Sequence, residues 1–253
     1  MDLAEEWNAL SMVVRRLAPV TAAGIRPPAP DSRVRQAEEL TAPWTQELRD
    51  FYALHDGQDA IAGKGTLLPA GSLLRVSDIP DRHAFLIDVM KDVVADDEDF
   101  YGPYSDIVAS YDVAGIDTDD HLFLPSYIPI SRWDSNHLFC DTRPGERRGC
   151  ISFRSSDGGH LGIPQWSSLA SMLHDIRSAV VSGEPIGDWH PVLADGTLDW
   201  DVRGPATAVK GVDSSHNGLP SAFRAQPDVG NVWRASVVDP GPMPYGTVRN
   251  TRP

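Results

Sequence analysis

The chain has 253 residues, 36 of them acidic and 22 basic, so it carries a formal charge of -14 at neutral pH. Hydrophobic residues make up 41% and charged residues 23%, a balance that supports a packed core and excludes wholesale disorder. No apolar run approaches the ~18 residues that a membrane-crossing helix needs. The opening Met1-Asp2-Leu3-Ala4-Glu5-Glu6-Trp7 is acidic where a secretory leader is basic and then apolar. The expectation is a cytoplasmic protein with no membrane partner.

Leu3, Trp7, Leu10, Val14 and Leu17 recur at three- and four-residue steps and predict an amphipathic first helix, with Asp2, Glu5 and Glu6 at its start and Arg15 and Arg16 at its end. Pro19 stops that run. After Pro27, Pro28 and Pro30, a short helix around Val34 to Leu40 leads to another from about Pro43 to His55. Thr41 is its expected cap, Pro43 suits its first turn, and Gly57 its left-handed stop. A short apolar pair, Thr66-Leu67-Leu68 and Leu73-Leu74, precedes a helix capped by Ser77, with Phe85, Val89 and Val93 on one face. Strand signals follow at Tyr127 to Ser131, His137 to Thr142 and Cys150 to Phe153, and the turn-rich Arg143 to Gly149 between the last two predicts an antiparallel hairpin. A final helix runs from about Ser167 to Ser182 and ends at Gly183. Helices, then a meander, then a helix predict an α+β fold: an antiparallel sheet meander packed with several helices.

Periodicity fails beyond Asp201. Residues 204–253 hold seven Pro and six Gly and are expected to be a disordered tail behind a folded domain of residues 1–203. The tail is net +2, which leaves -16 on the folded part. Acid is densest from Asp88 to Asp120, where eleven carboxylates, among them Asp96, Asp97, Glu98 and Asp99, face the single Lys91. Such a surface repels phosphates, argues against a nucleic-acid partner, and steers a basic protein toward itself. It lacks the alternating oxygen ligands of an EF-hand loop.

Chemistry is hard to find. Gly63-Lys64 invites a phosphate-loop reading, but Gly65 stands where Ser or Thr is required. No nucleophile elbow, zinc helix or dinucleotide fingerprint occurs, so neither a cofactor nor a catalytic residue is announced. His137, Cys140, Cys150 and His160 are ligand types suited to zinc. Residues three apart on a strand point to opposite faces, however, so His137 and Cys140 diverge and no metal is expected. Cys140 and Cys150 lie symmetrically about the turn; a disulfide is conceivable, and a reducing compartment favours two buried thiols. His55 beside Asp56, with Asp141, is the most that can be offered for a hydrolase.

Phe51-Tyr52-Ala53-Leu54-His55-Asp56-Gly57-Gln58, preceded by Ala37-Glu38 and Glu47-Leu48 and followed by Leu67-Leu68-Pro69, forms one motif block. Tyr127-Ile128-Pro129-Ile130-Ser131, His137-Leu138-Phe139-Cys140-Asp141, Pro144-Gly145, Gly149 and Ile151 form a second. Together, over residues 1 to about 185, they resemble the SUKH superfamily, the Smi/Knr-type domain. The chain departs from the family at Ala42-Pro43-Trp44, at Tyr127 and in the acidic stretch from Asp96. The resemblance implies a non-enzymatic protein-binding domain with Tyr52, His55, Gly57, Pro129, Ile130, Asp141 and Gly149 as family-motif positions. Bacterial members look like immunity proteins that neutralise toxins, often nucleases, and a fungal relative is a scaffold linked to cell-wall assembly. The leading expectation is an immunity-type inhibitor that occludes a basic protein toxin. Its contact residues are Asp96, Asp97, Glu98, Asp99 and Tyr101 on the acidic segment, and Asp56, Gln58, Trp133 and Asp134 on loops beside the meander. The alternatives are a regulatory scaffold acting through its tail and a hydrolase built on His55, Asp56 and Asp141.

Overall fold

The computed structural model describes residues 1–59, 63–96, 102–111, 122–133, 136–155 and 164–202. Residues 204–253, expected to be a tail, lie outside them. The fold is α+β. Helices α1 (Leu3–Leu17), α2 (Pro19–Ala23), α3 (Asp31–Glu39) and α4 (Gln46–Leu54) come first. Strand β1 (Ser72–Leu73) and a single 3-10 turn (Val76–Asp78) lead into α5 (Ile79–Asp96) and α6 (Tyr104–Tyr111). Strands β2 (Tyr127–Pro129), β3 (Ser131–Arg132), β4 (His137–Asp141) and β5 (Ile151–Arg154) follow, then α7 (Leu169–Ser182) and the hairpin β6 (Trp189–Ala194) and β7 (Thr197–Val202). Among the described residues no helix is long and apolar enough to cross a membrane.

The helix ends show why these segments stop and start. Asp2 caps α1 by accepting the Glu5 amide, and Glu5 and Glu6 then face the positive end of its dipole. Pro19 ends α1 as expected and also opens α2, where a residue without an amide hydrogen is at home. Ser168 and Ser171 form a reciprocal cap on α7, and Gly183 closes it at φ 78°. The cap of α4 is Thr45, whose hydroxyl accepts the Leu48 amide at 3.1 Å. Thr41, expected in that role, donates instead to the Ala37 carbonyl at the end of α3 and accepts the Trp44 indole N–H. Its hydroxyl is therefore occupied, and the chain runs extended for one more turn before α4 begins.

Strands β2, β4 and β5 form an antiparallel sheet in the order β2-β4-β5. Their side chains alternate between two apolar layers. Ile128, Leu138, Cys140, Ile151 and Phe153 face the main core built from α1, α4 and α7, whereas Tyr127 and Phe139 join a second cluster with Leu86, Met90 and Val94 of α5 and Ile107 of α6. Registers Ile128↔Cys140 and Cys140↔Ile151 keep like-facing residues together. Every residue of β4 is buried in consequence.

Two features differ from the sequence expectation. In α5 the buried stripe is Ile79, His83, Leu86, Met90 and Val94, while Phe85 is 55% and Val93 43% exposed. The helix carries two apolar stripes, and the one that holds Leu86 and Met90 fills the space beneath the sheet. The β6–β7 hairpin was not expected at all. It turns on Asp195 and Gly196, both at positive φ (49° and 76°), a tight turn whose twist suits paired strands. The Leu198 carbonyl accepts the Thr66 amide, and the Leu198 amide donates to Thr21, so the hairpin is bound to α2 and to the loop before β1.

Gly57 sits at φ 71°, and a Cβ there would lie 2.3 Å from the Leu74 carbonyl oxygen. Both the left-handed conformation and the close approach demand glycine. Gly57→Ala is expected to cost about 2 kcal/mol or more, in the range of stored backbone strain, read as a lower urea midpoint at unchanged slope.

Candidate functional site

The seven family-motif positions, Tyr52, His55, Gly57, Pro129, Ile130, Asp141 and Gly149, are all buried. Tyr52, His55 and Ile130 are fully buried, and Pro129 pairs with Phe139 inside the sheet. His55 follows the last residue of α4, where its ring lies 4.3 Å from Trp7 and 4.2 Å from Phe51, centre to centre. Its Nδ1 accepts the Gly57 amide, which leaves the proton on Nε2, among rings and without a hydrogen-bond partner. Burial lowers its pKa to about 3. A base so weak and so enclosed has no means of reaching a substrate.

Asp56 and Gln58 were expected on contact loops. The structure corrects that: both are buried, and both hold backbone. Asp56 Oδ1 accepts the Val76 amide at 3.0 Å at the start of the 3-10 turn, and Oδ2 lies 3.7 Å from Arg26 and 3.8 Å from Arg33. Gln58 donates to the Gly65 carbonyl and accepts the Leu67 amide, pinning the loop that follows it. Asp141 is likewise committed. Its carboxylate takes the Arg143 guanidinium at 2.7 to 3.1 Å and the Arg143 amide at 2.9 Å, and the same guanidinium lies 5.1 Å over the Tyr127 ring. Gly149, at φ 92°, donates its amide to the Asp141 carbonyl at 2.7 Å. His55, Asp56 and Asp141 thus perform three separate structural tasks and do not assemble the pocket that a hydrolase needs.

His137 and Cys140 project to opposite faces of β4, as strand geometry requires: His137 lies 5.3 Å from the Phe123 ring in the second cluster, and Cys140 is in the main core. Both cysteines are free thiols. The residue across from Cys140 is Ile151, not Cys150, so the symmetry seen about the turn does not become a facing pair. Burial pushes the Cys150 pKa up to about 11 and that of Cys140 higher still. Among the described residues no three metal-ligating side chains come together, and His160 lies outside them.

The exposed chemistry is on α5. At 100° per residue, Asp81, Phe85, Asp88, Asp92 and Asp96 fall on one face, and all five are exposed. Asp96 thus stands at the end of an acidic stripe that begins at Asp81. Asp97, Glu98, Asp99 and Tyr101, the continuation expected to make contact, lie outside the described residues, as does Asp134. Trp133 is 45% exposed and packs edge-on against Trp189, 5.4 Å between ring centres, so its exposed edge borders the hairpin.

At the stripe's first turn a concavity of about 460 Å³ opens between α5, β1 and β3. Arg75, Arg82 and Arg132 line it together with Asp78, Asp81 and Phe85, over a floor that includes Leu73 and Leu74. The Arg82 guanidinium lies 5.3 Å over the Phe85 ring. Burial, and then the charge of Arg132, lower the pKa of Arg82. The convergence of Arg82 and Arg132 has no sign in the sequence, because α5 and β3 are brought together only by the pairing of β1 with β3. The sequence shows the acidic density from Asp88 onward, and the structure adds that Asp81, Asp88, Asp92 and Asp96 lie along one face of α5. No protein-family model and no curated sequence matches the chain.

His55 also sets a pH dependence. In the unfolded chain its imidazole binds a proton near the ordinary 6.5, and in the fold only near pH 3. Between those values the unfolded state holds more protons, so the contribution is complete above about 6.5 and is lost as pH falls. Urea unfolding between about pH 6 and pH 4 should therefore lose stability less steeply in His55→Asn than in the parent chain, by about 1.4 kcal/mol per pH unit. Equal slopes would show that His55 is not held neutral.

Proposed function

We propose that the chain is a non-enzymatic protein-binding domain of the immunity type, which neutralises a basic, nuclease-like protein toxin by covering its working surface. The resemblance to the SUKH superfamily supplies the role. The observation that supports it is the α5 stripe. Asp92 and Asp96 sit toward the carbonyl end of the helix, where the dipole disfavours negative charge by about 0.3 to 1 kcal/mol each, and no basic residue occupies the last turn. A local preference broken on an exposed helix face, with no compensating contact among the described residues beyond the Lys91–Asp88 pair, supports reading it as a surface kept for something outside the molecule.

Phe85 gives that face an apolar anchor among the carboxylates, the composition of an interface centre within a charged rim. Carboxylates aligned over the length of α5 raise the association rate with a basic groove and repel nucleic acid from the same place. No bond is made or broken in such a mechanism; the inhibitor acts by occupancy.

Pull-down with the full chain from its native host tests this. A basic protein should be retained at about 0.15 M salt and released at about 1 M, as the screening length falls from about 8 Å to about 3 Å. It should be lost when Asp88, Asp92 and Asp96 are together changed to Asn, and kept when residues 204–253 are removed. Salt-insensitive binding, or binding that goes with the tail, would overturn occlusion by the folded part and leave recruitment by the tail.

A further inference from the structure

Two histidines stand against neighbouring residues of α1. His55 packs under Trp7, and His174 of α7 lies beside Glu6, with its Nδ1 3.2 Å from Glu6 Oε1 and 3.1 Å from Arg177 Nη2. A carboxylate oxygen only accepts a hydrogen bond and a guanidinium nitrogen only donates one, so Nδ1 serves one of the two at a time. We propose that Glu6, His174 and Arg177 form a proton-operated clasp on α1: with Nδ1 bare the imidazole is held by Arg177 within α7, and with Nδ1 protonated it crosses to Glu6 and ties α1 down. This clasp lies in the body of the fold and stands whether or not α5 meets a partner.

The contacts define each state. Arg177 holds Glu6 Oε2 through Nε and Nη2, both at 3.0 Å, and a guanidinium keeps its hydrogens in a fixed plane and its charge at every working pH. It therefore always offers Nδ1 a donor. The neutral ring carries its proton on Nε2 and accepts from Arg177 through Nδ1. When a second proton arrives from solvent on Nδ1, the ring becomes a cation, Arg177 repels the new N–H, and Glu6 Oε1 accepts it. Each carboxylate oxygen then holds one cation. Burial acts to raise the Glu6 pKa, but the bonds from His174 and Arg177 outweigh it and leave it lowered, so the carboxylate stays charged where imidazoles change charge.

The other charged groups on and around α7 have tasks of their own. Asp175 of α7 accepts the Trp166 indole N–H. From α4, Glu47 accepts the Leu169 and Ala170 amides, Arg49 is paired with Glu38, and Asp50 takes the Gln46 amide group. On α1, Asp2 accepts the Glu5 amide while Glu5, Arg15 and Arg16 are exposed, and β6 brings His190 as its one titratable side chain.

The connectivity gives the exchange a direction. Arg177 and His174 share a helix, so their bond survives when α1 lifts away, whereas the bond to Glu6 does not. Protonation thus trades a contact indifferent to α1 for one that requires it. Since α1 carries Trp7, Leu10 and Val14 into the main core, the clasp holds that core covered in mild acid, where a proton on His55 favours the opened chain.

The test follows hydrogen exchange of α1 in the full chain by mass spectrometry at about pH 5.5 and about pH 7.5, corrected for intrinsic exchange, in the parent, Glu6→Gln, His174→Gln and the double variant. Glu6 and His174 are both partly exposed, so these changes leave the fold in place. As a double-mutant cycle, the pair should be coupled about two- to fivefold in the opening of α1 at the lower pH, the scale of a partly exposed ion pair, and less than about 1.5-fold at the higher. His55 is present in all four chains, so its own response to acid cancels. Heteronuclear NMR of the imidazole nitrogens should show His174 with a bare Nδ1 at the higher pH and both nitrogens protonated at the lower. Arg177→Met removes the competing donor and should let the coupling appear at the higher pH too, because Nδ1 can then carry the neutral ring's proton to Glu6. Equal coupling in the parent background at the two pH values, a neutral ring with its proton on Nδ1, or a high-pH coupling unchanged by Arg177→Met would overturn the clasp.

Discussion

The molecule depends on a three-stranded sheet that is buried on both faces. A strand covered on one side can leave its polar ends to water; β4 cannot, because α1, α4 and α7 lie over one face and α5 and α6 over the other. Each polar group near it must find its partner inside the protein. Ser131 donates to the Ala70 carbonyl and accepts the Leu138 amide, Thr142 donates to Ser126, and Asp141 is closed off by Arg143, which reaches on to the Tyr111 carbonyl. Removing one partner from such a pair leaves an uncompensated buried charge, so the network is a condition of the sheet's existence more than a source of net stability.

The same burial separates chemistry from surface. His55, Asp56, Gln58 and Asp141 look in a linear sequence like reactive groups, yet they are spent on capping, clamping and pairing. Among the described residues, α5 carries a row of exposed carboxylates, with the groove at its head. Because the second layer buries the Leu86 and Met90 face of α5, the opposite face with its carboxylates has no choice but to look outward. The core therefore aims the acidic face of α5 outward.

Much of this was legible beforehand. The spacing of Trp7, Leu10 and Val14, the Ser168 to Gly183 bracket around α7, and the strand signals about Arg143 to Gly149 each depend on local periodicity and turn chemistry, and each corresponds to an observed element. What could not be read depends on tertiary choices. Two apolar stripes compete on α5, and only the shape of the space beneath the sheet selects between them. Two threonines, Thr41 and Thr45, offer themselves as caps, and only the occupancy of the first hydroxyl decides. The β6–β7 hairpin is a different case: Asp195-Gly196 between alternating residues is a local signal, and the neighbouring stretch poor in periodicity obscured it. Arg82 and Arg132 belong to the tertiary class, since no local pattern joins α5 to β3.

The docking of α1 against α7, with Glu6 held by His174 and Arg177, and the tie from Thr21 to Leu198 join opposite ends of the folded chain. α1 finds part of its cover early, because Trp7 lies against Phe51 and His55, but the side of its apolar face that meets α7 stays open until α7 has been made. That contact joins residues far apart in sequence, so its closure is a late step in folding.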